Sequence, residues 1–245
     1  MQAFIFAAGL GTRLKPLTLT MPKALVPIAG EPLIDMVLNR LKSADIDDFV
    51  VNVHHFPEQI IDHLSKRSDL GRVQISDESE MLRDTGGAVR YAQNLLDKST
   101  PFLVHNVDIV SNLDIREFVA QFKSDALAML LVSERKTQRY LLFDDEMRLC
   151  GWTNVATGEV KSSIKDIDVT KYRKLAFAGI HILSHKVLDL MQEYDEKFSI
   201  IDFYLNSAAQ YPIYGYIQPD LKMVDVGKFD SLEQAEFMIK EIEND

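Results

Sequence analysis

Two glycines, a threonine and an arginine stand together in "GLGTR", residues 9–13, and a lysine held between Pro22 and Ala24 follows ten residues later. Gly9 and Gly11 let a backbone come close to a phosphate or a base edge. The N–H groups of such a loop, Thr12 included, form a concavity that binds anions. Arg13 offers a planar fork to two phosphoryl oxygens. Lys23, on a proline-stiffened segment, can place an ammonium over the same anion. Taken alone, G-x-G is satisfied equally by a tight turn, and most lysines are solvated.

Two common phosphate loops do not fit these letters. A dinucleotide-binding turn needs G-x-G-x-x-G, and position 14 is Leu. A Walker loop needs a lysine directly after glycine, and Lys15 follows Leu14. The histidines are poor catalytic candidates. His54 and His55 are adjacent at a strand end, so they point to opposite faces and cannot easily share a metal, and His105 reads as a structural imidazole. The single cysteine, Cys150, builds neither a disulfide framework nor a zinc cluster and reads as a structural thiol.

The elements that must carry the loop alternate. "QAFIFA" (residues 2–7) is an apolar run expected to be a buried strand ending in the glycine loop. Helical spacing covers 31–44 and 57–66, a third helix 86–97, and a fourth 114–123. Strands are expected at 48–54, 72–76, 101–110 and 126–134. Strand–helix units of this length imply a mostly parallel sheet covered on both faces, with ligands beyond the strands' carboxyl ends. After residue 135 the pattern changes. A hairpin turns at Asp144–Asp145–Glu146, a strand covers 174–183, helices cover 198–210 and 229–243, and two short strands flank a Pro-Asp turn within 211–227.

The 245 residues are 47% hydrophobic and 26% charged, enough for a sizeable core. The net charge of −10, without a basic arm, argues against nucleic-acid binding. The opening apolar stretch is too short for a signal peptide or a membrane span, so the protein is expected in the cytoplasm, without a membrane partner. With no linker or repeat visible, 1–245 is expected to be one α/β domain, a Rossmann-like three-layer sandwich. Its first half, about 1–135, would carry the glycine loop, and its second, about 136–245, would complete the floor and wall of the cleft. Phe237, Met238 and Ile242 on the last helix serve either the core or an interface, leaving monomer or homodimer open.

The full run G-x-G-T-R-L-x-P-x-T-x-x-x-P-K-x-L-x-P-x-x-G-x-P, from Gly9 to Pro32, resembles the signature of the sugar-1-phosphate nucleotidyltransferases. "LRDTGGA" (82–88), "VHNVDIV" (104–110), "FAGIHIL" (177–183) and "MVDVGKFDSLEQA" (223–235) are similar to the family's later motifs, in the same order over nearly the whole chain. The resemblance implies joining of a nucleoside triphosphate to a sugar 1-phosphate with release of pyrophosphate. It implies Mg²⁺ on Asp108 and Asp225, a cation that takes carboxylate and phosphate oxygens. Arg13 and Lys23 would neutralise charge at the α-phosphate and the leaving pyrophosphate, with no general base needed. Ala8, Gly11, Gly86 and Gly87 would line base and ribose, and Asn106, Phe177 and Gly179 the sugar. Either aspartate alone is also explained as a turn residue or cap.

One position departs from the family. Glycine commonly precedes the metal aspartate, and here Val107 stands there, narrowing the space beside the metal. The compact chain is most similar to the branch acting on UTP and N-acetylmuramate 1-phosphate, in cell-wall sugar recycling. Mannose- or heptose-1-phosphate guanylyltransfer and glucose-1-phosphate thymidylyltransfer are the alternatives. A phosphocholine cytidylyltransferase keeps the same metal site but needs a cage for a quaternary ammonium, which is not located. From a different class, a non-catalytic nucleotide-sugar sensor would explain Val107 but not the retention of Arg13, Lys23, Asp108 and Asp225 together. Residues 150–175 are expected to wall the sugar pocket.

Overall fold

The apolar run at the start becomes β1 (Gln2–Phe6), the strand around which the rest is laid. In the computed structural model, which describes residues 1–242, β1 is followed by three single turns of 3-10 helix at Thr12–Leu14, Leu17–Leu19 and Lys23–Leu25. A two-residue ribbon, β2 (Pro27–Ile28) and β3 (Glu31–Pro32), leads into α1 (Leu33–Ser43). Then come β4 (Asp48–Val53), α2 (Pro57–Ser65), β5 (Arg72–Asp77), α3 (Asp84–Tyr91), β6 (Phe102–Asn106), β7 (Ile109–Ser111) and α4 (Ile115–Ala120). The second half holds β8 (Ala128–Ser133), β9 (Arg139–Phe143), β10 (Leu149–Asn154), β11 (Glu159–Lys161) and β12 (Arg173–Leu183). It ends with α5 (Val187–Leu190), α6 (Ile200–Ser207), β13 (Ile213–Tyr216), β14 (Met223–Asp225) and α7 (Phe229–Ile242). Glu243, the expected end of the last helix, and the side chain of Ile242 lie outside the described part, as do Asn244 and Asp245.

One mixed sheet runs β11-β10-β9-β12-β6-β1-β4-β5, with β8 paired to β12 and β13 to β8. The four strands β6, β1, β4 and β5 are mutually parallel, and β12 joins them antiparallel. Successive residues of β1 face opposite sides, so Ala3 and Ile5 join one core and Phe4 the other. The first core is closed by Ile34 and Leu38 of α1, Ile60 of α2 and Met238 of α7. The second is closed by Val89 of α3 and Phe203 and Tyr204 of α6. That makes three layers. Phe237, next to Met238, is 66% exposed. No helix among the described residues is long and apolar enough to cross a membrane.

Two departures from the sequence pattern build the site. The strand expected over 101–110 is broken. The N–H of Val107 still donates to Phe6 O (3.1 Å), but β7 leaves the main sheet and pairs with β14 instead. Asp108 therefore sits in the turn between two sheets, and the Ile109–Asp225 register brings both aspartates to one place. The strand at 174–183 is longer and bent. Leu175 pairs with β9, while Ile180–Leu183 pairs with β6, and Gly179 at φ 78° makes the switch. A β-carbon there would lie 2.8 Å from Nδ2 of Asn106. Elsewhere, α3 starts two residues earlier than expected and stops at Tyr91. The hairpin turn at 144–147 is made by the Asp144 carboxylate, which accepts from the N–H groups of Glu146 (3.0 Å) and Arg148 (2.8 Å).

Candidate active site

The loop after β1 is shaped before any ligand arrives. Gly11 adopts φ 59°, and a β-carbon there would lie 2.7 Å from Cγ2 of Thr18. The Gly11 carbonyl accepts from Leu14 N (2.9 Å) and Thr18 Oγ1 (2.8 Å). Leu14, fully buried, pins the turn while Arg13 stays exposed above it. Lys23 rides on its own 3-10 turn with Ala24 and Val26 buried beneath.

A cleft of about 550 Å³ opens over the carboxyl ends of β1, β4 and β6. The loop from Ala8 to Arg13 forms one wall, and Lys23, Asn106, Val107, Asp108 and Gly227 close one end. Lys23 and Asp108 form an ion pair, with side chains 9% and 23% exposed. Desolvation and the Asp108 charge push the Asp225 carboxyl up, while Lys23, Arg13 and Arg135 pull it back down. One carboxylate and three cations thus act on the Asp225 charge. Gly227 is where Arg13 crosses the chain, since a β-carbon there would lie 2.6 Å from Nη2 of Arg13.

The other wall was not anticipated. Asn52, buried between apolar neighbours in β4, accepts from Ala7 N (2.7 Å) and Ala8 N (3.2 Å) through Oδ1 and donates to Glu78 Oε1 (2.8 Å). Glu78 also accepts from Arg83 N (3.1 Å), and burial pushes its carboxyl up. This clamp ties the glycine loop to the segment leading into α3. Asp84 (φ 60°), Thr85 and Lys197 complete the lining. A lone asparagine in an apolar strand was the available signal, since a buried amide needs partners.

Gly86 and Gly87, expected on base and ribose, do not line the cleft. Both N–H groups donate to Phe198 O (2.9 and 3.2 Å). A β-carbon on Gly86 would lie 2.2 Å from the Phe198 ring, and one on Gly87 2.3 Å from Glu196 O. Glycine is needed there for packing, and the cleft face belongs to Asp84 and Thr85. Gly9, Thr12 and Ala8 do line it. His54 donates to Glu78 O (2.7 Å) and His55 to Thr18 O (3.2 Å), both holding loops. Burial raises the Cys150 thiol above its ordinary value, with Asp144 adding to it.

Of the residues expected on the sugar, Asn106 lines the first cleft and Phe177 a second one of about 500 Å³. Gly179 is buried beside Asn106. From the segment 150–175, Trp152, Asn154, Glu159 and Lys161 line the second cleft. Val107 is buried in the first core, with an edge on the first cleft.

Residues 2–241 match the family model described as nucleotidyl transferase. The chain is 31% identical to an N-acetylmuramate alpha-1-phosphate uridylyltransferase of Caulobacter vibrioides, over 98% of this chain and 97% of that protein. It is 29% identical to mannose-1-phosphate guanylyltransferase 1 of Arabidopsis thaliana, over 93% of this chain but only 62% of that longer one. Among solved structures, a putative glucose-1-phosphate thymidylyltransferase from Bacillus anthracis superimposes with a TM-score of 0.81, at 19% identity, over 97% of this chain and 94% of that one. That last likeness is one of fold. With Gly9–Arg13 and Lys23 of the signature lining the cleft, the chain belongs to the nucleotidyl transferase family, as a sugar-1-phosphate nucleotidyltransferase.

Proposed function

We infer that the enzyme transfers a uridylyl group from UTP to N-acetylmuramate 1-phosphate, in the cytoplasm and with Mg²⁺. The convergence of Arg13, Lys23, Asp108 and Asp225 at the end of the first cleft carries the reaction type. The full-length likeness to the Caulobacter vibrioides enzyme supports the choice of substrates.

In this reading the nucleotide lies in the first cleft, its phosphates toward Arg13 and Lys23. The acceptor lies in the second cleft, where the charge of Arg135 acts on Asp225. A phosphate oxygen of the acceptor attacks the α-phosphorus. The bond from that phosphorus to the oxygen bridging to the β-phosphate breaks, and pyrophosphate leaves with its electron pair. The attacking oxygen is already anionic, so alignment and charge stabilisation suffice. Arg13 and Lys23 supply the donors.

The donor set fits magnesium. Two carboxylates, with phosphate oxygens and water filling the shell, are what this cation takes beside a nucleotide. Among the described residues no group of three or more His, Cys, Asp or Glu gathers, so the protein's share would be Asp108 and Asp225. When bound, the ion would draw negative charge off the phosphate oxygens. Lys23 counters the Asp108 charge in the protein alone.

Pyrophosphate release, assayed with UTP, GTP, dTTP and CTP against a panel of sugar 1-phosphates, tests the reading. Turnover of UTP with N-acetylmuramate 1-phosphate, lost in Asp108→Asn, is expected. Turnover of GTP with mannose 1-phosphate instead would replace the substrates and keep the chemistry. Nucleotide-sugar binding without turnover of any pair would make the protein a sensor.

A further inference from the structure

The floor of the second cleft is one face of the ribbon β9–β10–β11, and its register sorts the side chains into two rows. Residues directly opposite one another across an antiparallel pair share a face. Leu141 is opposite Trp152, which is opposite Lys161. The next row holds Arg139 opposite Asn154, which is opposite Glu159. Lys161 reaches across to Asp202 of α6 (3.1 Å), joining the floor to the opposite wall. The first row offers the Trp152 ring, with the Lys161 ammonium 5.5 Å from its centroid, and the second row is polar.

Two arginines border this floor, and they differ. Arg135 donates through Nη2 to Phe177 O (3.0 Å), and its charge acts on Asp225, so it stands on the side of the reacting phosphates. Arg139 uses only its backbone N–H, which donates to Thr137 Oγ1 (3.4 Å), and no carboxylate among the described residues pairs with its guanidinium. Glu159 shares its row but lies two strands away, roughly 10 Å by strand spacing. An unpaired guanidinium facing a cleft, in a chain of net charge −10, is a receptor for an anion.

We propose that Arg139 is a specificity residue that binds a carboxylate on the acceptor, so that the enzyme selects sugar 1-phosphates carrying a second, carboxylate charge over neutral ones. The proposal rests on the second cleft being the acceptor site. Asn154, whose Oδ1 accepts from Ala156 N (3.0 Å), offers its Nδ2 donor to the same substituent, and Glu159 accepts from sugar hydroxyls. Arg139 is exposed at the cleft, so the discrimination comes from its charge and planar fork meeting the carboxylate.

The test measures kcat and KM separately for two acceptor pairs, with whichever nucleotide the enzyme accepts. N-acetylmuramate 1-phosphate against N-acetylglucosamine 1-phosphate differs by a lactyl carboxylate, and glucuronate 1-phosphate against glucose 1-phosphate by an oxidised C6. The wild type is expected to favour the acidic member of at least one pair by about tenfold or more in kcat/KM. Arg139→Ala should cut that preference about tenfold, mainly through KM. Arg139→Lys should restore part of it, because it keeps the charge and loses the fork. Arg139→Gln carries the same test should the alanine variant fold poorly. No preference for either acidic member, or a preference that survives loss of the arginine, overturns the proposal. Silence toward the muramate pair alone, with glucuronate favoured through Arg139, would instead reject the muramate substrate and leave the role of Arg139 standing.

Discussion

Arg13 crosses the chain at Gly227, where a β-carbon would lie 2.6 Å from Nη2 of the arginine and 3.1 Å from Oδ1 of Asp225. The atom in the way is the end of a flexible, exposed side chain, so Gly227→Ala can be accommodated by moving Arg13 aside. Stability should therefore change by less than about 1 kcal/mol. On the proposed role of Arg13 at the phosphates, misplacing its guanidinium by an ångström should still lower kcat/KM about tenfold to a hundredfold. Thermal melting together with pyrophosphate release separates the two effects. A large melting loss with unchanged kinetics would mean that the glycine serves packing alone.

Lys23 is the buried partner of Asp108. Lys23→Met keeps the length of the side chain and removes its charge. Loss of one donor to a developing phosphate charge is expected to lower kcat by about a hundredfold or more. Circular dichroism should remain native, and a variant retaining full kcat would remove Lys23 from the chemistry.

The Asn52 clamp holds two backbone N–H groups and one carboxylate. Asn52→Ala leaves all three short of a partner, at about 1–3 kcal/mol for each buried group that finds no water. A loss of roughly 3 kcal/mol in urea unfolding is expected, with a raised KM for the nucleotide because Ala8 lines the cleft. Unchanged nucleotide affinity would confine Asn52 to folding.

Two histidines should make the fold acid-sensitive. Burial pushes His105 down to about 4 and His181 down to about 3, against an ordinary value of 6.5. Their folded-state pKa values are depressed, so in both cases the unfolded chain binds the proton first. The stability this provides is complete above pH 6.5 and is lost as pH falls from there toward 4 and then 3, at roughly 1 kcal/mol per pH unit for each group. The Nδ1–H of His105 donates to Asn106 O (2.8 Å), and Nδ1 of His181 is bonded to the Tyr204 hydroxyl, both within the packed interior. A proton NMR titration should show the ring signals of His105 and His181 unmoved down to pH 5. Ordinary midpoints near 6.5 for these two would contradict this burial.

The sequence put forward Asp108 and Asp225, with Arg13 and Lys23, through motifs spread along the chain, and the fold brings the four into one region. The alternating strand–helix order was equally readable, since the parallel strands of β1, β4 and β6 are buried on both faces and must be apolar. Gly86 and Gly87 show the limit. A glycine pair is the same two letters whether it faces a ligand or a phenyl ring, and only the arrival of Phe198, over a hundred residues later, decides which. The break at Val107 was hidden because apolar residues flank His105, Asn106 and Asp108 on both sides, so "VHNVDIV" reads on as one strand, and it is the pairing of β7 with β14 that ends it. Asn52 and Glu78 belong to no local pattern. The row Arg139–Asn154–Glu159 exists only because the register of two antiparallel pairs aligns it. The sequence by itself determined which chemical groups are present and which segments are strands or helices, because periodicity and motif spacing are local. Tertiary structure decided which of those groups meet, because contacts between residues dozens of positions apart depend on strand register and close packing, and neither is written in any short stretch of chain.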